Sequence, residues 1–505
     1  MTGVFTRRMP MAGRRRPFIP DIRGVAPGSG PAHPDQSETY ALLRGLAGRD
    51  ALETQISAVF VGGDTVWKLK RAVRLAFLDF TTLESRRHFL ERELDLNQAA
   101  APGLYRDVVA VVRGPGGLRL GGEGKVVDWV LRMAPIPPGD FMLARAEQGL
   151  SAPLLDALGD MVAADHARRV PVPDHDAGHP ARNARGNAQA ARDAGLPVDR
   201  VDAWLAAAEA ALDRVTPLLA ARAAAGKVRR AHGDLHLGNI CLWQGVPAPF
   251  DALEFDEAMG TIDLGYDLAF LLMDLDRRAG RAAANRVLNR YVARTGDAEL
   301  VRTLPPFLSR RAMVRAHVTG DIGYLDAAID YLQPQSARVV AIGGLPGTGK
   351  STLARALAPA LGPAPGALIL RSDEIRKRLH GLAPEDRLGR EGYSAESNAR
   401  TEAALLDGMR AAAGHAVILD TTFLSPAFRQ AAETAAGPGF IGIWLEAPAA
   451  ELERRVAARS GDASDATVSV LHRLAAADPG PVTWHRMVAD DGALGRCRAL
   501  LGLPG

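Results

Sequence analysis

Only two cysteines, Cys241 and Cys497, occur among the 505 residues. They are too few for a disulfide framework or a zinc site, so a reducing compartment and a cytoplasmic location are expected. No stretch approaches the about 18 consecutive apolar residues of a membrane helix, which removes an integral membrane protein of that kind. Neither charge dominates: 61 Lys and Arg stand against 58 Asp and Glu, net +3, with a pI near 8.9. The arginines are dispersed and form no basic block, so nucleic acid is a possible partner but not a favoured one. No repeat recurs at a solenoid period. What remains is an ordinary globular composition, 47% hydrophobic and 24% charged, in a chain long enough for roughly two to four domains, each burying its own core.

The first 36 residues carry Arg7, Arg8, Arg14, Arg15 and Arg16 with no acid before Asp21. No apolar run follows them, as a secretory signal would need, and Pro and Gly crowd residues 27–34, so a disordered basic tail is expected. Residues 37–332 read as one domain. Its first part is mixed: strands at 56–61 and 65–70 joined by a Gly62-Gly63-Asp64 turn, a helix over 82–99, and strands at 108–112 and 125–133. Leu83, Leu90, Leu94 and Asn97 fall on one stripe of that helix at helical spacing. From 135 to 331 the chain is Ala- and Leu-rich and mostly helical. Residues 333–337 read as a linker. Residues 338–505 alternate strands (338–342, 367–370, 416–419, 440–445) with helices, the pattern of a parallel sheet covered on both faces.

Two short motifs carry chemistry. His232-Gly-Asp-Leu-His-Leu-Gly-Asn239 places an acid and an amide five positions apart on one loop. Asp234 can accept the proton of a hydroxyl nucleophile, and Asn239 has the spacing of a Mg²⁺-binding amide. A second metal carboxylate is expected after the hairpin formed by 240–243, the Gln244-Gly245 turn and 246–250. Asp251 is favoured on hairpin length, with Glu254 as the rival and Asp256 as a solvated loop acid. Upstream, the chemistry calls for a strand lysine facing the phosphates and a helical glutamate holding it. Val66, Lys68 and Lys70 share one strand face. Lys68 is the first choice and Lys70 the fallback, with Glu93 as the partner.

Gly344-Leu-Pro-Gly-Thr-Gly-Lys-Ser351 is a P-loop set between an apolar strand and a helix. The backbone of Gly344, Leu345, Pro346, Gly347, Thr348 and Gly349 would cradle phosphates, with Lys350 near the β/γ oxygens and Ser351 and Thr352 at the helix start. Ser351 would bind Mg²⁺ together with Asp420 at the end of a neighbouring strand. Asp373 falls at the sheet's carboxyl edge, where it could take a proton from an alcohol, and Arg376 could bind an anionic group of the acceptor. Arg455 and Arg459, four apart on one helical face and followed by Gly461-Asp-Ala-Ser-Asp465, resemble a lid whose arginines neutralise charge on a transferring phosphoryl group.

Residues 38–330 resemble the aminoglycoside phosphotransferase family, through His232-Gly-Asp-Leu-His-Leu-Gly-Asn-Ile240, Phe250-Asp-Ala-Leu-Glu-Phe255 and Asp267-Leu-Ala-Phe270. The resemblance implies a bilobal protein-kinase-like fold and ATP- or GTP-dependent phosphorylation of a small hydroxylated acceptor. It also implies that Asp267 anchors the loop rather than reacts. The fold serves many alcohols, so aminoglycosides are not implied. The chain lacks a Gly-x-Gly-x-x-Gly before the Lys68 strand. Residues 338–505 resemble the small P-loop kinases grouped with gluconate kinase, zeta-type toxins, chloramphenicol phosphotransferase and polynucleotide 5′-kinases. The Asp-x-x-Arg at Asp373/Arg376 is shared across that group and selects no acceptor. The tandem is similar to bacterial fusions of an aminoglycoside-phosphotransferase-like and a P-loop ATP-binding domain. The expectation is therefore a two-site Mg²⁺-dependent phosphotransferase. The alternatives are a polynucleotide 5′-OH kinase in the second half, or a stress-related ATP-binding regulator with a degenerate first half.

Overall fold

A computed structural model describes residues 35–75, 78–172, 179–458 and 463–504 of the chain. Most of the expected basic tail lies outside them, but Gln36 belongs to the first domain. Its side chain donates to Lys70 O (3.0 Å) and Asp128 Oδ2 (2.7 Å) and accepts from Ala72 N (2.8 Å).

Helix α1 (Ser37–Ala47) leads into a six-stranded antiparallel sheet of β1 (Leu52–Glu53), β2 (Ser57–Val61), β3 (Val66–Lys70), β4 (Tyr105–Gly114), β5 (Gly117–Leu120) and β6 (Lys125–Met133). The strands run in the order β1-β2-β3-β6-β4-β5. β3 splits its faces as alternation dictates: Trp67 and Leu69 pack under α1 with Leu43 and Phe60, while Val66 packs with Leu90 and Leu131 on the other face. Helix α2 (Leu83–Asn97) covers that second face and starts where Thr82 Oγ1 accepts from Ser85 N (3.1 Å). The stripe it buries is Arg86, Leu90, Glu93 and Asn97. Leu83, expected inside, is 37% exposed. It occupies the first turn, before the helix reaches the sheet, and the buried face is polar because it holds ion pairs.

The larger lobe is helical. Its core holds α3 (Ala152–Arg168), α4 (His179–Asp193), α5 (Val198–Ala224), α6 (Leu264–Arg278), α7 (Arg281–Thr295), α8 (Leu304–Thr319) and α9 (Ile322–Asp330). Between α5 and α6 lies the hairpin β7 (Ile240–Trp243)/β8 (Val246–Pro249). Gln244 (φ 52°) and Gly245 (φ 84°) make its tight turn, both left-handed as a two-residue hairpin requires. A small antiparallel lobe hinged to a helical lobe is the protein-kinase-like architecture.

Residues 332–338 carry neither helix nor strand. Beyond them β9 (Val339–Gly343), α10 (Lys350–Leu357), β10 (Leu368–Arg371), α11 (Ser372–Leu379), α12 (Ala395–Ala411), β11 (Val417–Asp420), β12 (Ile441–Glu446), α13 (Ala449–Ala457) and β13 (His485–Val488) form a five-stranded parallel sheet with helices. The last strand, His485–Val488, closes the sheet beside β12. Strand order is β10-β11-β9-β12 and then His485–Val488.

The two domains share a continuous hydrophobic core in which Leu288 and Tyr291 pack in one cluster with Leu368, Leu370, Ile375 and Leu405. Helix α7 also completes the edge of the parallel sheet. Asn289 Oδ1 accepts from Ile369 N (2.6 Å), and Asn285 Nδ2 donates to Ala367 O (3.0 Å). These bonds satisfy backbone groups that an edge strand otherwise leaves open.

Candidate active sites

The small lobe and the hairpin build the first site together. Lys68 Nζ lies 2.6 Å from Glu93 Oε1 and 2.6 Å from Asp251 Oδ1. Lys70 Nζ donates to Glu93 Oε2 (2.8 Å) and to Glu254 Oε1. The result is an alternating row, Asp251–Lys68–Glu93–Lys70–Glu254. Lys70 is therefore no mere substitute for Lys68: both grip one glutamate from the same strand face. Burial opposes their charge, but the adjacent carboxylates outweigh it and raise both lysine pKa values. Burial pushes Glu254 up, with Lys70 pulling against it.

The row separates the rival carboxylates. The Asp251 side chain is 43% exposed and Glu254 only 5%. Asp251 stands open to the cleft in a left-handed backbone conformation (φ 61°), and its N–H donates to the Tyr105 hydroxyl (2.9 Å). Glu254 is committed to Lys70. Asp256, expected to be a solvated acid, caps a short helix by accepting from Met259 N (3.0 Å). Lys70→Met should leave Glu254 without its buried counter-charge and Glu93 with Lys68 alone, and cost about 3–5 kcal/mol. Denaturant unfolding of the full chain measures this; an unshifted midpoint for the first domain would refute a structural role for the inner pair.

Across the cleft, Asn239 Nδ2 donates to Asp234 Oδ2 (2.9 Å) and Asp234 O (3.0 Å), which turns the amide oxygen away from the acid. Asp234 is 40% exposed. Burial opposes its ionisation, but His236, His232 and Arg311 hold the carboxyl well below the usual range. The loop is fixed from beneath by Asp267, which is fully buried and accepts from Gly233 N (2.8 Å), His232 N (3.2 Å) and His166 Nε2 (3.1 Å). His166 in turn meets the Tyr291 hydroxyl at 2.9 Å. Gly233 (φ 85°) makes the bend, where a Cβ would stand 3.2 Å from Leu253 Cβ. Burial lowers the His232 pKa, and the ring's Nε2 donates to Phe250 O (2.9 Å) while Nδ1 accepts from Asp234 N (3.3 Å). That ring ties the loop of Asp234 to the loop of Asp251. The sequence reading missed His166, Tyr291, Tyr105 and Arg311, which lie far from the motif in sequence.

In the second domain, residues 344–349 bend tightly between β9 and α10. A Cβ on Gly344 (φ 135°) would stand 2.4 Å from Leu445 O, and on Gly347 (φ 88°) 2.9 Å from Leu452 O, so both positions require glycine. Thr348 Oγ1 donates to Leu345 O (2.9 Å), closing the loop that includes Pro346. Lys350 Nζ folds over the loop onto Gly344 O (2.9 Å) and Leu345 O (3.0 Å). Ser351 Oγ donates to Asp420 Oδ2 (2.5 Å), and Thr352 sits in the same first turn.

Arg371, unforeseen from the motifs, ends β10 between three acids: 3.7 Å from Asp420, 3.9 Å from Asp373 and 3.9 Å from Glu374. Burial pushes the Asp373 carboxyl up, partly offset by Arg371, a direction that suits a proton acceptor. Arg376 lies one turn on but donates to Gly392 O (3.0 Å) beside the Tyr393 ring, 4.9 Å from its centroid. In this conformation it steadies the 389–394 turn rather than opening to the cleft. Arg455 reaches the P-loop side, pairing with Glu451 (2.6 Å) and facing Gly347 O (3.5 Å). Arg459 lies outside the described residues. Asp465 of the expected lid meets Lys377 (3.3 Å) and the Tyr393 hydroxyl (3.0 Å).

Among the described residues, no group of three or more His, Cys, Asp or Glu could hold a metal alone. Asn239 with Asp251, and Ser351 with Asp420, are instead small sets of hard oxygen donors. They fit Mg²⁺, which is usually held by one or two carboxylates plus phosphate oxygens. Among the described residues, no helix is long and apolar enough to cross a membrane.

Residues 339–478 match the AAA domain family. Uncharacterized proteins of Mycobacterium tuberculosis and Mycobacterium bovis are 28% identical over 497 residues, covering 90% of this chain and 94% of each relative. A gluconokinase structure from Sinorhizobium meliloti is 21% identical, covering 33% of this chain and 95% of that one, with a TM-score of 0.24. The structure of the aminoglycoside phosphotransferase APH(4)-Ia is 14% identical, covering 59% and 97%, with a TM-score of 0.36. In this chain a domain built of a small antiparallel lobe and a helical lobe precedes a P-loop domain with a parallel sheet.

Proposed function

We propose that this fusion is a Mg²⁺- and nucleotide-dependent phosphotransferase with two sites, each moving the γ-phosphoryl group of ATP or GTP to a hydroxyl of a small acceptor. The carrying observation is that the Asp251–Lys68–Glu93 row faces the Asp234–Asn239 pair, close enough for Asp234 to act on the charge state of Asp251. Lys68 would bind nucleotide phosphate while Glu93 holds its ammonium in place. Asn239 and Asp251 would hold Mg²⁺, which when bound screens the phosphate oxygens. Asp234 orients the acceptor hydroxyl and takes its proton as the oxygen bonds to the γ-phosphorus and the bond to the leaving nucleoside diphosphate breaks. Its low pKa makes it a weak base, matched to a transition state in which proton transfer is late and positioning matters most.

In the second site Lys350 would leave its two carbonyl partners for the β/γ-phosphates, with Ser351 and Asp420 on the metal. Asp373 is the base that makes this half a kinase rather than a hydrolase. Asp373→Asn, in full-length protein whose first site is silenced by Asp234→Asn, should lower transfer to the acceptor at least about a hundredfold. ATP affinity and background hydrolysis should change little. An acceptor screen of sugars, hydroxy acids and 5′-OH oligonucleotides, read by nucleoside diphosphate formation, supplies the assay. Joint loss of transfer, hydrolysis and ATP binding would mean that Asp373 serves the nucleotide or the fold.

A further inference from the structure

Helix α8 carries three buried arginines that, among the described residues, have no carboxylate within hydrogen-bond distance; the nearest is Asp267, 4.0 Å from Arg311. Arg310, Arg311 and Arg315 are 2%, 5% and 7% exposed. Among the described residues, Arg310 Nε, Arg311 Nη2, Arg315 Nε and, two residues on, His317 Nε2 are buried with no hydrogen-bond partner. Arg310 has a neutral partner in Asn183 Oδ1 (2.8 Å) and lies 4.2 Å over the Tyr266 ring. Arg311 donates to Tyr266 O (3.1 Å) and stacks on Tyr266 and Phe270. The carboxylate beside it, Asp267 at 4.0 Å, already accepts three bonds from the catalytic loop and His166. Arg315 has the Tyr324 ring at 5.9 Å.

The other buried arginines of this domain are treated differently. Arg222 is gripped by both Asp263 and Asp297, and Arg86 by Asp128. Buried charge without a partner is costly and rare. A water could occupy an open N–H but would not neutralise it; an anion would do both.

The position points to the acceptor. Arg311 is among the groups that depress Asp234, and its stacking partner Phe270 lies 5.2 Å from His236, whose Nε2 is 3.6 Å from Asp234. Helix α8 also packs against α4, α5, α6 and α9, so the arginines sit among the helices behind the catalytic loop.

We propose that the first site's acceptor is an anionic alcohol, a hydroxylated molecule bearing a carboxylate or phosphate, held by Arg310 and Arg311 with Arg315 adding to the positive field. This rests on the phosphotransferase reading of that site. A polycationic acceptor would be repelled there.

The probe is inorganic phosphate, added at constant ionic strength to full-length protein carrying Lys350→Ala so that the P-loop does not contribute. Phosphate should raise the thermal midpoint, and Arg310→Gln should abolish the rise while Arg310→Lys retains part of it. In the acceptor screen, acids and phosphate esters should be used at least about tenfold better than their neutral parents. Arg310→Gln should raise the acceptor KM with the nucleotide KM unchanged. Should Arg310→Gln not fold, Arg315→Gln and Arg310→Lys carry the comparison. Equal phosphate protection in these variants and their parent, no protection at all, or a preference for neutral or cationic acceptors overturns the proposal. Arginine-dependent phosphate protection with no transfer to any acceptor would instead keep the anion site and reject the phosphotransferase reading.

Discussion

Asp234→Asn should lower phosphoryl transfer by the first domain by a factor of about 10²–10⁴, the scale on which general-base groups act. The substitution preserves size and keeps an acceptor for Asn239 Nδ2, which now bonds Asp234 Oδ2 at 2.9 Å. The loop is held from below by Asp267 through Gly233 N and His232 N, so its course does not depend on the Asp234 charge. Nucleotide binding should persist, since Lys68, Glu93 and Asp251 are untouched. The loss should therefore appear in kcat, with the nucleotide KM nearly constant. Titration gives a second readout. The folded-state pKa of Asp234 is depressed, so the carboxylate form persists even below the ordinary carboxylate pKa and is lost only as pH falls further. No acid limb from Asp234 should appear between pH 5 and 8. An unchanged kcat in Asp234→Asn, measured with Lys350→Ala to silence the second site, would remove Asp234 from the chemistry.

The motifs were legible because each compresses a whole reacting set into one loop. His232 to Asn239 holds the proposed base, the proposed metal amide and the bend, and Gly344 to Ser351 the proposed cradle, cation and metal hydroxyl, so local spacing was enough to name the candidates. Groups contributed by distant segments left no such trace. Tyr105, His166 and Tyr291 each sit in a strand or helix whose pattern reads as core, and their polar ends matter only after folding brings them to a loop more than fifty residues away. Lys70 shows the same limit from another side. Alternation placed it on the face of Lys68, but only the fold shows that Glu93 has two oxygens and one lysine on each.

Element boundaries failed where apolar periodicity was weak. β5 (Gly117–Leu120) and the edge strand His485–Val488 are short and half or more exposed, so neither shows a buried face to detect. The separation of the domains was the larger surprise. Residues 332–338 carry neither helix nor strand, yet α7 packs with elements on both sides of them. Its Tyr291 supports His166 under the first catalytic loop, while Asn285 and Asn289 finish the edge of the P-loop sheet. Cutting the chain at the connector would expose that edge and split a shared core, which is why each site is best tested by silencing the other in the full chain.

Lys350→Ala should abolish Mg²⁺-nucleotide binding at the second site. A P-loop presents backbone N–H dipoles to the phosphates, but the β/γ oxygens carry most of the negative charge, and Lys350 is the point charge aimed at them. Other cations nearby have other duties: Arg371 is set among Asp420, Asp373 and Glu374, and Arg455 is paired with Glu451. Folding should survive the change. The bonds lost include those from Lys350 Nζ to Gly344 O and Leu345 O, while the loop keeps its glycine bends and the Thr348–Leu345 bond. The measurement is nucleotide titration by calorimetry in full-length protein carrying Lys68→Ala to remove the first site. With Lys350 intact one site should remain, and with Lys350→Ala none. Lys350→Arg keeps the charge but carries a broader, planar head in a loop shaped for a compact ammonium, so it should restore binding only in part. Undiminished affinity in Lys350→Ala would show that the loop amides alone hold the phosphates, and the phosphotransferase reading of this half would lose its charge-neutralising group.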